Sequence, residues 1–516
     1  MKNLTRSAVC VMAVLLLSKV LGFVREILLA YQFGTSYIVD AYAVSSTLPA
    51  VLLNLFSSGF SDSYVTVYAR IQEDSIKKTF FNSAVTCLTI LALVVAALGY
   101  AFSGEIAHLL APGYDDTSMA LLRQFVSIIV FALPFMTVFS LFSAELSTQD
   151  DFITANILGF IGSNLIIIAG ILIAARTKVE NLVIGEVVAW AMMSILLAIY
   201  ARRTYAVRFH PKVAIRNRYT LIFCQLAIPL GASRLISELN GVSDRIFASL
   251  LGEGVTSALS YANRVQLIFY TLTTSVFLSV CYPRMNRCFA EHDREMGMHY
   301  VRKGVMLAAY ISIPVTGGLF LFAQPVITLL FERGSFTAQS TAMTAGCLAF
   351  YALGIPFYAL RETAAKALGA NMEQRKILKN TAISVAFNIL LNLALYRPLG
   401  YIGLALATSL TGLLVSVLAI LDLRRMGLSM FQRGQIPDFL KIMASSAVSL
   451  MGCIFCYELL LLRGGNTLAL MAAVCVAVAL YSILSIVLKI RIFVWIYHRI
   501  PKRLQVLSFL KQAAEE

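Results

Sequence analysis

Apolar residues fill this chain in long blocks, broken by short polar connections, from near its start to about residue 490. About fourteen blocks reach 18 residues, the length at which an α-helix crosses the hydrocarbon core of a bilayer. They fall near 8–31, 38–68, 79–103, 119–145, 150–174, 181–201, 219–250, 254–283, 300–323, 338–366, 376–397, 401–423, 437–462 and 467–490. This is the pattern of helical spans, not the weak alternation of barrel strands. It predicts an all-α polytopic membrane protein. The second block is long and interrupted by Pro49 and by Ser57, Ser58 and Gly59. A bend is expected there, and irregular backbone at that depth must be buried or line a cavity.

The blocks also repeat. Ile106, Leu109 and Gly113 recur as Ile327, Leu330 and Gly334, 221 residues on. Phe131 to Pro134 resembles Tyr351 to Gly354, and Leu197 to Ile199 resembles Leu418 to Ile420, each pair at the same spacing to within one residue. An even number of spans per copy makes the two copies parallel, related by an axis along the membrane normal. The expected organisation is a six-helix lobe at 1–216, a second at 217–426, and two further spans with a tail at 427–516. The tail segment Arg499 to Leu510 reads as a basic amphipathic helix on the inner leaflet.

Composition agrees with the pattern: 516 residues are 59% hydrophobic and 13% charged, with a mean hydropathy of +0.79. The net charge of +15 does not indicate nucleic acid, because about 30 of the 42 Lys and Arg fall in connections on one side. That bias places both termini in the cytoplasm, and the basic connections there suit anionic lipids. The basic start runs on through Lys19 and Arg25 without a small-residue cleavage site, so it is read as a retained span. Cys453 and Cys456 lie inside a span and are read as packing residues. No phosphate-binding GxxxxGK[ST] is present, and the five histidines have no metal or triad spacing. An enzyme is not expected.

The informative residues are charges inside spans. Each costs roughly 2.5–3.5 kcal/mol at mid-membrane, so it should face a bundle interior or a wet cavity. On one helix, Lys19 and Arg25 would stand about 9 Å apart along the axis and about 120° apart around it, with Gly22 between them. Such an arc suits an anion. The second half carries Glu238, Asp244, Arg245 and Arg264, and the tenth span Arg361, Glu362 and Lys366. Acids adjacent to cations, such as Glu26, are read as ion-pair partners, and Asp40 as a site or outer-rim residue.

SKVLGFVREILLAYQFGTSYIVDAYAVSSTLP, LLAPGYDD, DRIFASLLGEGVTSALSYANRV, LLFERGSFT and NILLNLALYRPLGYIGLALATSL, in this order within about residues 5–425, resemble the MurJ/MviN family of lipid II flippases. That family lies in the superfamily of multidrug, oligosaccharidyl-lipid and polysaccharide exporters. The resemblance implies fourteen spans in two lobes about a cationic cavity. It also implies alternating access that moves undecaprenyl-diphosphate-linked peptidoglycan precursor from inner to outer leaflet of a bacterial cell membrane. Arg25, Asp40 and Arg264 fall on family positions, and Lys19 replaces an arginine. Leu53 and Asn54 stand where two arginines are usual, Ser58 replaces a glutamate and Asn263 an aspartate. The substrate-binding candidates are therefore Lys19, Arg25, Asp40, Arg264, Asn54 and Arg245. No cofactor or metal is expected; a coupling cation has no assigned ligands. Expected partners are the lipid-linked diphosphate glycan, anionic lipids and cell-wall synthesis proteins. The competing readings are a flippase for another polyprenyl-linked glycan, a cation-coupled drug exporter, and a non-transporting scaffold of a glycan-synthesis complex.

Overall fold

The computed structural model describes residues 2–54, 60–213 and 217–497. Its helices are α1 (Lys2–Phe33), α2 (Tyr37–Ser45), α3 (Thr47–Asn54), α4 (Asp62–Tyr68), α5 (Asp74–Ala101), α6 (Ser103–Leu110) and α7 (Asp116–Ile129). There follow α8 (Ala132–Thr148), α9 (Phe152–Asn156), a π-helical turn at Ile157–Gly162, α10 (Ser163–Ala174), α11 (Asn181–Tyr205) and α12 (Arg218–Ser249). The chain continues through α13 (Val255–Val280), α14 (Tyr282–Ala290), α15 (Arg294–Leu321), α16 (Ala323–Phe331), α17 (Ala338–Ala352) and α18 (Ile355–Ala370). It closes with α19 (Gln374–Arg425), α20 (Ile436–Val487) and α21 (Arg491–Tyr497).

Among the described residues, eight helices are long and apolar enough to cross a membrane, or ten if two bent pairs count as one span each. The bends are 43° between α13 and α14 and 42° between α17 and α18. Two helices of 52 residues each are far too long for one crossing, and each contains a break. Gly400 (φ 57°) follows Pro398 in α19, and Gly465 (φ 73°) divides α20. The other expected passages fall on α1, on α2–α4 and on α12, where internal charges gather. This arrangement is compatible with fourteen crossings. The second span is broken after Ser45, and its expected bend at Ser57 to Gly59 lies outside the described residues.

Element order recurs along the chain. The starts of α5 and α15 lie at 74 and 294, those of α6 and α16 at 103 and 323, and those of α7 and α17 at 116 and 338.

Two compact units form. One comprises Met1–Ser257 with Arg333–Ser340, the other Ala258–Glu332 with Thr341–Glu516. The first has an aromatic core in which Tyr64 stacks on Phe80 at 5.1 Å and Phe81 meets Phe142 edge-on at 5.2 Å. Gly170 of α10 and Gly185 of α11 bring two backbones together, and a Cβ on either would sit 3.0 Å from the other's Cα. Such small-residue contacts replace hydrophobic driving force where both surroundings are apolar. The second unit packs α15 against α18 and α20. There Tyr481 donates to the Tyr310 carbonyl at 2.8 Å, and the two rings lie 4.9 Å apart.

Candidate functional site

Within the first unit, Arg25 of α1 donates to the Glu26 carboxylate at 2.9 Å, with the two side chains 21% and 10% exposed. Glu186 of α11 completes the group. Its Oε2 accepts from the Tyr42 hydroxyl and the Ser46 hydroxyl, each at 3.2 Å, and it lies within electrostatic reach of Arg25. One guanidinium is thus set among two carboxylates. Lys19 is exposed, and no described residue pairs with it. Gly22 has room for a side chain, since a Cβ there would meet only Asn164 Oδ1, at a van der Waals distance of 3.9 Å.

Glu186 was not singled out from the sequence. Its signal was one acid in the apolar run LVIGEVVAW, with no cation nearby in sequence to draw attention to it. Glu145 of α8, buried and bonded by the Tyr64 hydroxyl, was missed in the same way.

Asp40 is not at a wet rim. It is 1% exposed, and its two oxygens accept backbone N–H bonds from Gly254 at 2.6 Å and Ser257 at 2.7 Å. These amides open α13, so the carboxylate satisfies donors that a helix start leaves unpaired and meets the positive end of its dipole. Further bonds join the same parts of the chain. The Tyr37 amide donates to Glu253 at 2.9 Å, the Tyr114 hydroxyl to Thr256 at 3.3 Å, and Arg245 to the Thr47 hydroxyl.

Two sequence motifs meet helix ends alike. In LLAPGYDD, Gly113 lies so close to the end of α12 that a Cβ would sit 2.4 Å from the Ser249 carbonyl. In LLFERGSFT, Gly334 (φ +61°) lies as close to the Tyr31 carbonyl of α1, and the Ser335 amide donates to that oxygen at 2.9 Å. Thr35 and Ser340 hydroxyls are 2.7 Å apart. Residues 31–47 and 113–114 are thereby fastened to 245–257 and 333–340 inside one compact unit.

In the second unit Arg264 is exposed on α13. Arg361 lies 5.6 Å above the Tyr358 ring, and Lys366 pairs with Glu362 at 3.5 Å and stands 5.4 Å above Tyr282. The side chains of Asn54 and Ser58 lie outside the described residues. Among the described residues no three His, Cys, Asp or Glu gather to hold a metal ion. What the first unit brings together is a guanidinium and an ammonium on one span, with two carboxylates around the guanidinium.

The family model described as "Lipid II flippase MurJ" matches residues 29–494. A "Probable lipid II flippase MurJ" of Rhizobium meliloti (strain 1021) is 25% identical over 414 residues, covering 77% of this chain and 76% of the relative. A "Lipid II flippase MurJ" of Thermosipho africanus (strain TCF52B) is 25% identical over 436 residues, covering 84% and 87%. Among solved structures, "Lipid II flippase MurJ, inward closed conformation" superposes with a TM-score of 0.81 at 24% identity, covering 93% of this chain and 99% of that one. An inward-facing multidrug resistance MATE family transporter of the MOP superfamily gives 0.64 at 13% identity, over 79% and 94%.

Proposed function

The chain belongs to the lipid II flippase MurJ family, and from that membership we propose that it moves lipid II from the inner to the outer leaflet of a bacterial cell membrane. It is a multi-pass membrane transporter, and its substrate is a lipid-linked glycan. The observation that carries the reading onto this chain's residues is Arg25. Its guanidinium donates to the next residue on the same helix. A guanidinium has five N–H donors. A diphosphate can therefore engage Arg25 in the paired geometry that guanidinium favours, displacing Glu26 and competing with the neighbouring Glu186 carboxylate. Lys19 adds a point charge, and Arg264 and Asn54 are proposed as further contacts to the head group. Asp40 and Arg245 are proposed to act differently, holding the fastened arrangement that alternating access must release.

Two parallel repeats at 1–216 and 217–426, with 427–516 appended and both termini cytoplasmic, fit the recurring element order and the basic connections. Anionic lipids and cell-wall synthesis proteins are proposed partners. The membrane potential is proposed as the driving force, with no cofactor.

The test is rescue of cells depleted of their own lipid II flippase, with labelled lipid II in liposomes as the direct readout. The unmodified chain should support both, and Arg25→Glu neither, while remaining folded in the membrane. Full flux in Arg25→Glu would sink the anion site. Movement of another polyprenyl-linked glycan but not lipid II would favour the second reading, which Leu53 and Asn54 in place of the usual arginines motivate.

A further inference from the structure

The second unit holds a cavity of ≈ 380 Å³ between α15, α18 and the segment that leads into α20. Its walls are almost wholly apolar: Met306 and Ala309 from α15, Phe357 and Leu360 from α18, and Phe439 from α20. That volume lies in the range of ligand sites, and an apolar cavity gives water too few partners to hold it. The mouth differs from the walls. Gln432 and Gln435 border the cavity, and Gln435 donates to the Arg302 carbonyl at 3.4 Å. Arg302 in turn donates to the Ser429 carbonyl at 3.1 Å, and Arg433 is exposed between the two glutamines in sequence. The nearby acid Asp438 is buried and faces Arg491 at 3.8 Å. Ser312, also in the lining, lies ten residues along α15 from Arg302, or about 15 Å.

We infer that this cavity is a binding site for one acyl chain of an anionic glycerophospholipid, with the phosphate at the mouth beside Arg433 and the amides of Gln432 and Gln435. Charge complementarity selects the head group. The mouth lies at the end of α15 that carries Arg294, Arg302 and Lys303, the basic end that the excess of Lys and Arg assigns to an anionic inner leaflet. Size selects the chain, because a cavity of ≈ 380 Å³ is several times smaller than the volume of an undecaprenyl tail. The occupant is therefore a resident membrane lipid, and the inference does not depend on which glycan is transported.

Ser312 supplies a test that keeps the fold. It is 0% exposed, and its hydroxyl has no hydrogen-bond partner. Replacing such a group by an apolar one is neutral or stabilising, whereas a larger side chain there fills the slot. The purified full chain, stripped of lipid, is titrated with phosphatidylglycerol or phosphatidylcholine of the same chains. Bound equivalents are counted by native mass spectrometry, and Tm is followed. The unmodified protein should retain one equivalent of phosphatidylglycerol and gain Tm from it. Ser312→Leu should bind that equivalent at least about tenfold more weakly without a lower lipid-free Tm. Ala309→Phe, from the neighbouring wall, should do the same if Ser312→Leu folds poorly. Arg433→Glu should bind both lipids alike. Unchanged retention in the filled variants, equal retention of the two lipids by the unmodified chain, or displacement by a polyprenyl phosphate at equal concentration would each overturn the assignment.

Discussion

Asp40 accepts two backbone amides at 2.6 and 2.7 Å, and neither bond survives a neutral isostere intact. In Asp40→Asn one acceptor becomes a donor that faces an N–H. Bonds to charged groups are worth about 1.5–3 kcal/mol, so the start of α13 should open roughly 10- to 150-fold more often. Hydrogen exchange at Gly254 and Ser257 reads this directly, and unchanged protection would remove Asp40 from the fastening role. Asp115 offers a pH counterpart in the connection before α7. It caps α7 by accepting from the Ser118 amide at 3.4 Å, and bonding to Ser118 lowers its carboxyl below the usual value. A lowered folded pKa means that the cap contributes fully above the unfolded value of about 3.9 and is lost as pH falls through the folded one. Asp115→Asn should therefore flatten the acid limb of a Tm-against-pH curve and leave its slope near neutrality unchanged. The sequence made visible both grouped charges, such as Arg25 with Glu26, and several lone ones, such as Asp40 and Arg264. Glu186 was not visible, because its partners Tyr42 and Ser46 come from another helix and carry no formal charge.

Helices and their breaks were more legible than side-chain partners, and the reason is physical. In lipid every backbone bond must close within its own segment, so apolar length reports a helix almost directly. Bends were legible in part: Pro49 lacks the N–H that would reach the Ser45 carbonyl four residues back, and the second span breaks after Ser45. The shared glycines of LLAPGYDD and LLFERGSFT marked a repeat, while their use against helix ends needed the structure. Gly170 and Gly185 meet backbone to backbone, where added volume cannot be absorbed by a rotamer change. Gly170→Leu should force α10 from α11 at a cost of about 1–3 kcal/mol, the usual range for overpacking. Gly427→Ala provides the contrast. Nothing lies within 4 Å of its Cβ position, and only its φ of +77° resists a side chain. Its cost should come from backbone strain alone, which Asn, tolerant of that conformation, should relieve better than Ala. Tm in detergent and in lipid would separate the two cases.

A transporter with fixed cations in its spans is easily misread as being driven by them. Over a complete cycle the charges of Lys19, Arg25 and Arg264 return to their starting positions, so they cancel from the net work whatever field they cross. The cargo's charge does not cancel. Moving about two negative charges outward, down an inside-negative potential, is worth roughly 4.6 kcal/mol per 100 mV, which corresponds to about three decades in the leaflet ratio at equilibrium. On the proposed mechanism the cations shape rates and affinity, while the diphosphate sets the direction. Liposomes with an imposed potassium diffusion potential and no other gradient distinguish these roles. Net lipid II movement should follow the sign of the potential and vanish at zero potential. Arg25→Lys should slow it without changing the final ratio, since an ammonium retains the charge but not the paired donors. A final ratio indifferent to potential but dependent on a sodium or proton gradient would transfer the driving force to a coupling cation.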